Sequence, residues 1–230
     1  MTRRPLAVFD IDGTLTDTMD VDFQCYVRAV HEVIQVDVPA DVDALEELEE
    51  VTDSAILAAV FESAGRAAPG EELEGMIARR VAALLAEALD TTPERFRPIP
   101  GARGVFGELR AAGWDCAMAT GAWRPSAVVK LRGGGIPHDD VPLATSSDRF
   151  ARRDIIRYAV DATGRTDRAT VVYVGDGVWD GRAARRLGYG FVGIGSDDKV
   201  GKLRDAGAVR VLPDYLDFDA FVESLTAAAD

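Results

Sequence analysis

The amino-acid sequence predicts an α/β fold, a doubly wound parallel sheet carrying a small helical insertion, on three observations. The apolar run Leu6-Ala7-Val8-Phe9 stops at an acidic cluster, Asp10-Ile11-Asp12-Gly13-Thr14. Such a run reads as a buried parallel strand covered on both faces. From Gly104 to the end, helical patterns alternate with short apolar strands, the pattern of strand, crossover helix and strand in an open parallel sheet. Between these regions, residues 17–98 are helix-patterned and acidic, without a Gly-bounded apolar strand. Roughly eighty residues far exceed the dozen or so that an ordinary crossover needs.

Within that insertion Phe23, Tyr26, Val27, Val30, Val33 and Ile34 recur at the spacing of an amphipathic helix. Further helices are expected over Asp53 to Ala64 and Glu71 to Leu89, the second opening after Pro69-Gly70 with glutamates in its first turn. Asp43 to Glu50 is ambiguous, and Glu46-Glu47-Leu48-Glu49-Glu50 reads as a solvated helix face. Pro98-Ile99-Pro100-Gly101 marks the return. Helices then follow over Gly104 to Ala112, Pro125 to Arg132, Arg153 to Thr163, Gly181 to Leu187 and Phe218 to Ala228. Strands are expected at Cys116 to Thr120, Val141 to Thr145, Thr170 to Val174, Phe191 to Ile194 and Ala208 to Leu212, with Gly133-Gly134-Gly135 a flexible break.

With a net charge of -13 and a sequence pI near 4.6, the surface field opposes nucleic acid and anionic membranes. Cys25 and Cys116 are the only cysteines, each among apolar neighbours, and read as core residues of a protein in a reducing compartment. The basic start Met1-Thr2-Arg3-Arg4 precedes an apolar run too short for a signal peptide, no stretch reaches membrane-spanning length, and the sequence has no asparagine to glycosylate. A cytoplasmic protein is expected.

Asp10 and Asp12, two apart at a strand end, send their side chains to one side of the backbone. Two carboxylates at one spot repel, and a hard divalent cation between them relieves this. Gly13 permits a sharp turn, and Thr14 offers a hydroxyl and an amide to whatever the acids hold. Thr120 ends a buried strand, where its hydroxyl can donate to a phosphate oxygen beside the exposed amide of Gly121. Val171-Val172-Tyr173-Val174-Gly175-Asp176-Gly177-Val178-Trp179-Asp180 runs from an apolar strand into an acid framed by glycines, with a second acid four residues on.

Asp10-Ile11-Asp12-Gly13-Thr14-Leu15 with Asp17 resembles the first motif of the haloacid dehalogenase-like (HAD) superfamily. Ala117 to Gly121 is similar to its second motif and Val171 to Asp180 to its last. The resemblance implies a Rossmann-like core of residues 1–16 and 99–230, with residues 17–98 as a helical cap. It further implies a magnesium-dependent phosphatase for a small phosphorylated metabolite, in which Asp10 is the nucleophile that forms an aspartyl phosphate and Asp12 the general acid and base. Magnesium would be held by Asp10, the carbonyl of Asp12, Asp176 and, through water or weakly, Asp180. The family's usual lysine has no counterpart: Lys130, Lys199 and Lys202 are the only lysines, and none precedes the last motif at a suitable place. Arg149, Arg152 and Arg153 are the candidates, with Arg152 favoured beside Thr120 and Gly121 for the phosphate.

The presence of Asp12 disfavours dehalogenases, which lack that second acid, and ion pumps, which carry Thr there. The absence of lysine from 17–98 disfavours phosphonate cleavage. A phosphomutase of the same superfamily is the alternative enzyme, and a non-catalytic phospho-acceptor module the alternative outside catalysis. His31 and His138 read as surface and loop residues, Gly188 to Gly193 as a turn, and Trp123 as packing under the cap or flooring the pocket. Arg66, Arg79 and Arg80 are candidate cap contacts to substrate.

Overall fold

A computed structural model describes residues 4–38, 48–164 and 170–229. Six parallel strands form the sheet, β1 (Leu6–Phe9), β4 (Asp115–Ala119), β5 (Leu143–Ala144), β6 (Val171–Gly175), β7 (Gly190–Ile194) and β8 (Arg210–Leu212), in the order β5-β4-β1-β6-β7-β8. Chain order runs outward from β1 in both directions, so the carboxyl end of β1 lies at the crevice where the winding reverses. Phe9 is in register with Met118 on one side and Val174 on the other. The residues that follow β1, β4 and β6 are thereby neighbours in space.

Alternation along the strands sorts the core into two layers. Ala7, Phe9, Cys116, Met118, Val172 and Val174 face α4 (Ala102–Ala111), α5 (Arg124–Gly134) and α9 (Phe218–Ala229). Leu6, Val8, Ala117, Ala119, Val171 and Tyr173 face α6 (Arg152–Ala162), α7 (Val178–Leu187) and α8 (Lys199–Asp205). Both cysteines are buried free thiols. Among the described residues no helix is long and apolar enough to cross a membrane.

The insertion holds α1 (Met19–Ile34), α2 (Asp53–Ser63), α3 (Glu71–Thr91) and a 3₁₀ turn at Pro93–Arg95. Its apolar faces make a third cluster around Leu57, Ile77, Val81 and Leu85, closed from the core side by Trp123. Both of its connections pass through a two-residue antiparallel ribbon, β2 (Thr16–Asp17) against β3 (Arg97–Pro98).

Two expectations need correction. Gly133 and Gly134 are not a flexible break but the last turn of α5, which Gly135 closes in a left-handed conformation at φ 66°. A Cβ at Gly133 would press on Phe96 at 2.7 Å and one at Gly134 on Thr16 Cγ2 at 2.8 Å, so these glycines let α5 approach the ribbon. Glu46 and Glu47 lie outside the described residues, while Leu48 and Glu49 sit in bends rather than a helix. The carboxylate of Glu50 instead accepts a hydrogen bond from the Arg152 amide at the start of α6, at 2.9 Å, which satisfies one of the orphan donors there. Helix α8 and the β2/β3 ribbon were not expected from the sequence pattern.

Candidate active site

The Asp10 amide donates to the carbonyl of Val174 at 2.9 Å, continuing the sheet by one bond past β1. The chain then turns back, with the amides of Leu15 and Thr16 donating to Ile11 O and that of Gly13 to Thr16 O. Gly13 adopts φ 72°, and a Cβ there would overlap the carboxylate of Asp176. Glycine is required on both counts: the turn needs the left-handed region, and the acid from β6 needs the space.

One carboxylate oxygen from each of Asp10, Asp176 and Asp180 lies within 4.8 Å of the others, all three residues buried. Oδ1 of Asp10 and Oδ1 of Asp176 have no hydrogen-bond partner among the described residues. Both Asp180 oxygens are engaged, by Arg152 Nη1 at 2.8 Å and the Gly177 amide at 3.0 Å. Burial, reinforced by the neighbouring carboxylates and opposed by Arg152, holds the Asp10 carboxyl well above the usual range. Burial likewise pushes Asp176 up to about 6 against the pull of Lys199. Two hard oxygen donors that accept no hydrogen bond, in a buried acidic trio, fit a small divalent cation, whose charge reverses that shift.

Asp12 stands outside the trio. Its Oδ1 accepts from Thr18 Oγ1 at 2.7 Å and its Oδ2 from Lys130 Nζ at 2.5 Å; any ligand it offers the trio is its carbonyl. The Thr14 amide is spent on Ile11 O at 3.3 Å and its carbonyl on Tyr215, so the expected amide is not available to a ligand.

Among the three arginines proposed for the missing lysine, Arg152 is the one that reaches the centre. Its guanidinium lies 3.5 Å from Asp10 Oδ1 and 2.8 Å from Asp180 Oδ1. Its Nη2 also donates to the carbonyl of Val51 at 2.7 Å, binding the insertion to the core. Arg149 is drawn off over the Tyr158 ring and Arg153 toward Asp154.

Beyond this centre lies a cavity of about 320 Å³ lined from the core by Asp10, Asp12, Thr120, Gly121, Arg152, Asp176, Trp179 and Lys199. The insertion contributes Asp20, Asp22, Phe23, Tyr26, Thr52 and Asp53 among others. Thr120 Oγ1 accepts from the Ala122 amide at 3.2 Å, which leaves its proton for an oxygen in the cavity. Gly121 has no room for a side chain, since a Cβ would meet Arg152 Nη2 and Val51 O.

Lys199 and Lys130 were missed by sequence reasoning. Lys199 Nζ donates to Asp176 Oδ2 at 2.6 Å from helix α8, and Lys130 to Asp12 from α5. Neither stands shortly before the last motif, where the resemblance places the family's lysine. Trp123 is not part of the cavity wall: its ring stacks on Tyr26 at 5.6 Å, and its indole donates to Ser54 and Glu74 beneath the insertion. Arg66 and Arg80 are spent on Ile34 O and on Glu32 and Glu87, and with Arg79 they lie off the cavity. His31 pairs with Asp37 on the surface, and His138 with the Ile136 carbonyl.

A family model described as haloacid dehalogenase-like hydrolase matches residues 5–188. The chain belongs to this family. It is therefore a hydrolase of the haloacid dehalogenase-like kind. No curated protein matches it by sequence. Among solved structures it is similar to a hydrolase from Pseudomonas syringae, with TM-score 0.74, 21% identity and coverage of 96% of this chain and 98% of that one. CbbY from Rhodobacter sphaeroides, solved with phosphate, gives TM-score 0.69 at 22% identity over 94% and 96% of the two chains. A β-phosphoglucomutase from Clostridium difficile gives 0.71 at 16% over 98% of each. At these identities the likeness is one of fold.

Proposed function

We propose that this HAD-like hydrolase is a magnesium-dependent phosphatase acting on a small phosphorylated metabolite, with residues 17–98 as its cap. The observation that carries the reading is the buried trio of Asp10, Asp176 and Asp180 with two oxygens that accept no hydrogen bond, opening onto a cavity that also holds Thr120 and Arg152. Asp10, the Asp12 carbonyl, Asp176 and, more weakly, Asp180 would hold the ion. Bound there, magnesium supplies charge that keeps Asp10 ionised and offsets the negative charge of the transferring phosphoryl group.

Thr120, Gly121 and Arg152 receive the phosphate oxygens. An Asp10 oxygen attacks phosphorus in line, so that the O–P bond to Asp10 forms as the ester P–O bond breaks and the leaving oxygen takes a proton from Asp12. Water then attacks the aspartyl phosphate, its proton passing to Asp12, and free phosphate leaves with Asp10 restored. The likeness to a β-phosphoglucomutase keeps one rival alive, in which the phosphoryl group returns to a sugar.

The test is phosphate release from p-nitrophenyl phosphate and a panel of phosphorylated metabolites. Release should require magnesium and fall by at least about 10³-fold in Asp10→Asn. Retained turnover in that variant removes the nucleophile assignment, and isomerised sugar phosphate without free phosphate indicates the mutase. A stable phospho-enzyme without turnover indicates a phospho-acceptor module.

A further inference from the structure

Lys130 is fully buried and belongs to none of the segments that build the acidic trio. An ammonium out of water costs several kcal/mol unless it is paired, and here two carboxylates meet it. Nζ lies 2.5 Å from Asp12 Oδ2 and 3.0 Å from Asp22 Oδ1. The other oxygen of Asp12 accepts from Thr18, whose hydroxyl is 2.7 Å from that of Thr16. Both Asp12 oxygens thus carry a donor fixed by buried structure, one from the ribbon segment and one from α5. Asp22, the third member, stands in the first turn of α1, so the clamp joins the core to the insertion.

We propose that Lys130 is a positioning residue for Asp12: it holds that carboxylate in the orientation from which the leaving oxygen is protonated, and it shares this grip with Asp22 at the base of the cap. The inference rests on the phosphatase reading. A group that orients an acid matters in proportion to how much the leaving group needs a proton. Dinitrophenolate leaves unprotonated and an alkoxide does not. Because kcat/KM covers events only up to the first irreversible step, the ratio of kcat/KM for an alkyl phosphate to that for 2,4-dinitrophenyl phosphate reports on protonation alone.

Lys130→Met should lower this ratio by about tenfold or more while the dinitrophenyl ester is still cleaved. The double variant Lys130→Met with Asp22→Leu replaces the buried pair by apolar groups, which guards the fold, and should lower the ratio equally. Asp22→Asn leaves Lys130 its bond to Asp12 and should move the ratio by less than about threefold. An unchanged or raised ratio in both Lys130 variants, or an equal loss on both esters, overturns the positioning role. So does a fall in Asp22→Asn as large as that in Lys130→Met. A wild-type protein inert toward both esters with magnesium present would instead count against the phosphatase reading itself.

Discussion

Asp53 opens α2 with its carboxylate accepting from the Trp123 amide at 2.8 Å. Burial first, then the charge of Asp22, lifts this carboxyl to about 8, although Lys130 and the Trp123 amide pull the other way. The folded protein therefore prefers Asp53 protonated, whereas the unfolded chain loses that proton near the ordinary value of about 3.9. The stability it contributes is whole below about pH 4, declines as pH rises and is exhausted by about pH 8. Asp53→Asn keeps the shape and the acceptor. It should flatten the pH dependence of unfolding, the wild type losing up to about 1.4 kcal/mol per pH unit relative to the variant. Denaturant melts at pH 5 and 7.5 decide it, and parallel slopes would refute the assignment. At this scale the sequence exposed what a strand end makes local. Asp10, Thr120 and Asp176 each follow a short apolar run, and β1, β4 and β6 are neighbours. Lys130 was illegible because its partner Asp12 is 118 positions away. Nothing in an isolated helix pattern distinguishes a lysine that faces solvent from one that closes a buried pair.

Helix α5 shows why composition misleads about an element. Three successive glycines suggest a break, and alanine at Gly134 would improve helix propensity by about 1 kcal/mol. Contact with Thr16 Cγ2 at 2.8 Å points the other way. Gly134→Ala should destabilise the protein by about 1–3 kcal/mol, read as a lower Tm, and a stabilised variant would show that the ribbon yields. The helices of the insertion carry a second consequence. Their share of the cavity wall includes Asp20, Asp22 and Asp53 and no lysine, arginine or histidine among the described residues. At neutral pH Asp53 stays largely protonated and Asp22 is paired with Lys130, so a leaving group bearing its own phosphate would meet the carboxylate of Asp20 with no cation of the insertion to offset it, and each unfavourable 1.4 kcal/mol is tenfold in affinity. Bisphosphorylated sugars should therefore show KM values about tenfold or more above those of the matching monophosphates. Comparable KM values would mean that Asp20 is turned away from the leaving group. Periodicity located α1, α2 and α3, yet orientation came only with packing, which is why Arg66, Arg79 and Arg80 were named and Asp20, Asp22 and Asp53 were not.

The whole molecule was legible as a class of architecture because its alternation of strands and helices spans more than half of the chain. The two strands of the ribbon were not, since β2 and β3 are too short to carry a period, whereas β5 falls inside the strand expected at Val141 to Thr145. The sheet's carboxyl end carries three buried acids whose carboxyls repel one another. Magnesium at about a hundred times its Kd should then stabilise the folded state by about 2.7 kcal/mol. The corresponding rise in Tm should vanish on chelation and in Asp176→Asn; a melting curve indifferent to magnesium would place the ion elsewhere. Thr16 faces Pro98 and Asp17 faces Arg97, so the polypeptide leaves the sheet and comes home through a single doorway. A graft cut across that doorway exchanges everything it encloses without shifting one strand register. Exchange of the residues beyond the doorway would then leave the acidic trio of the sheet in place.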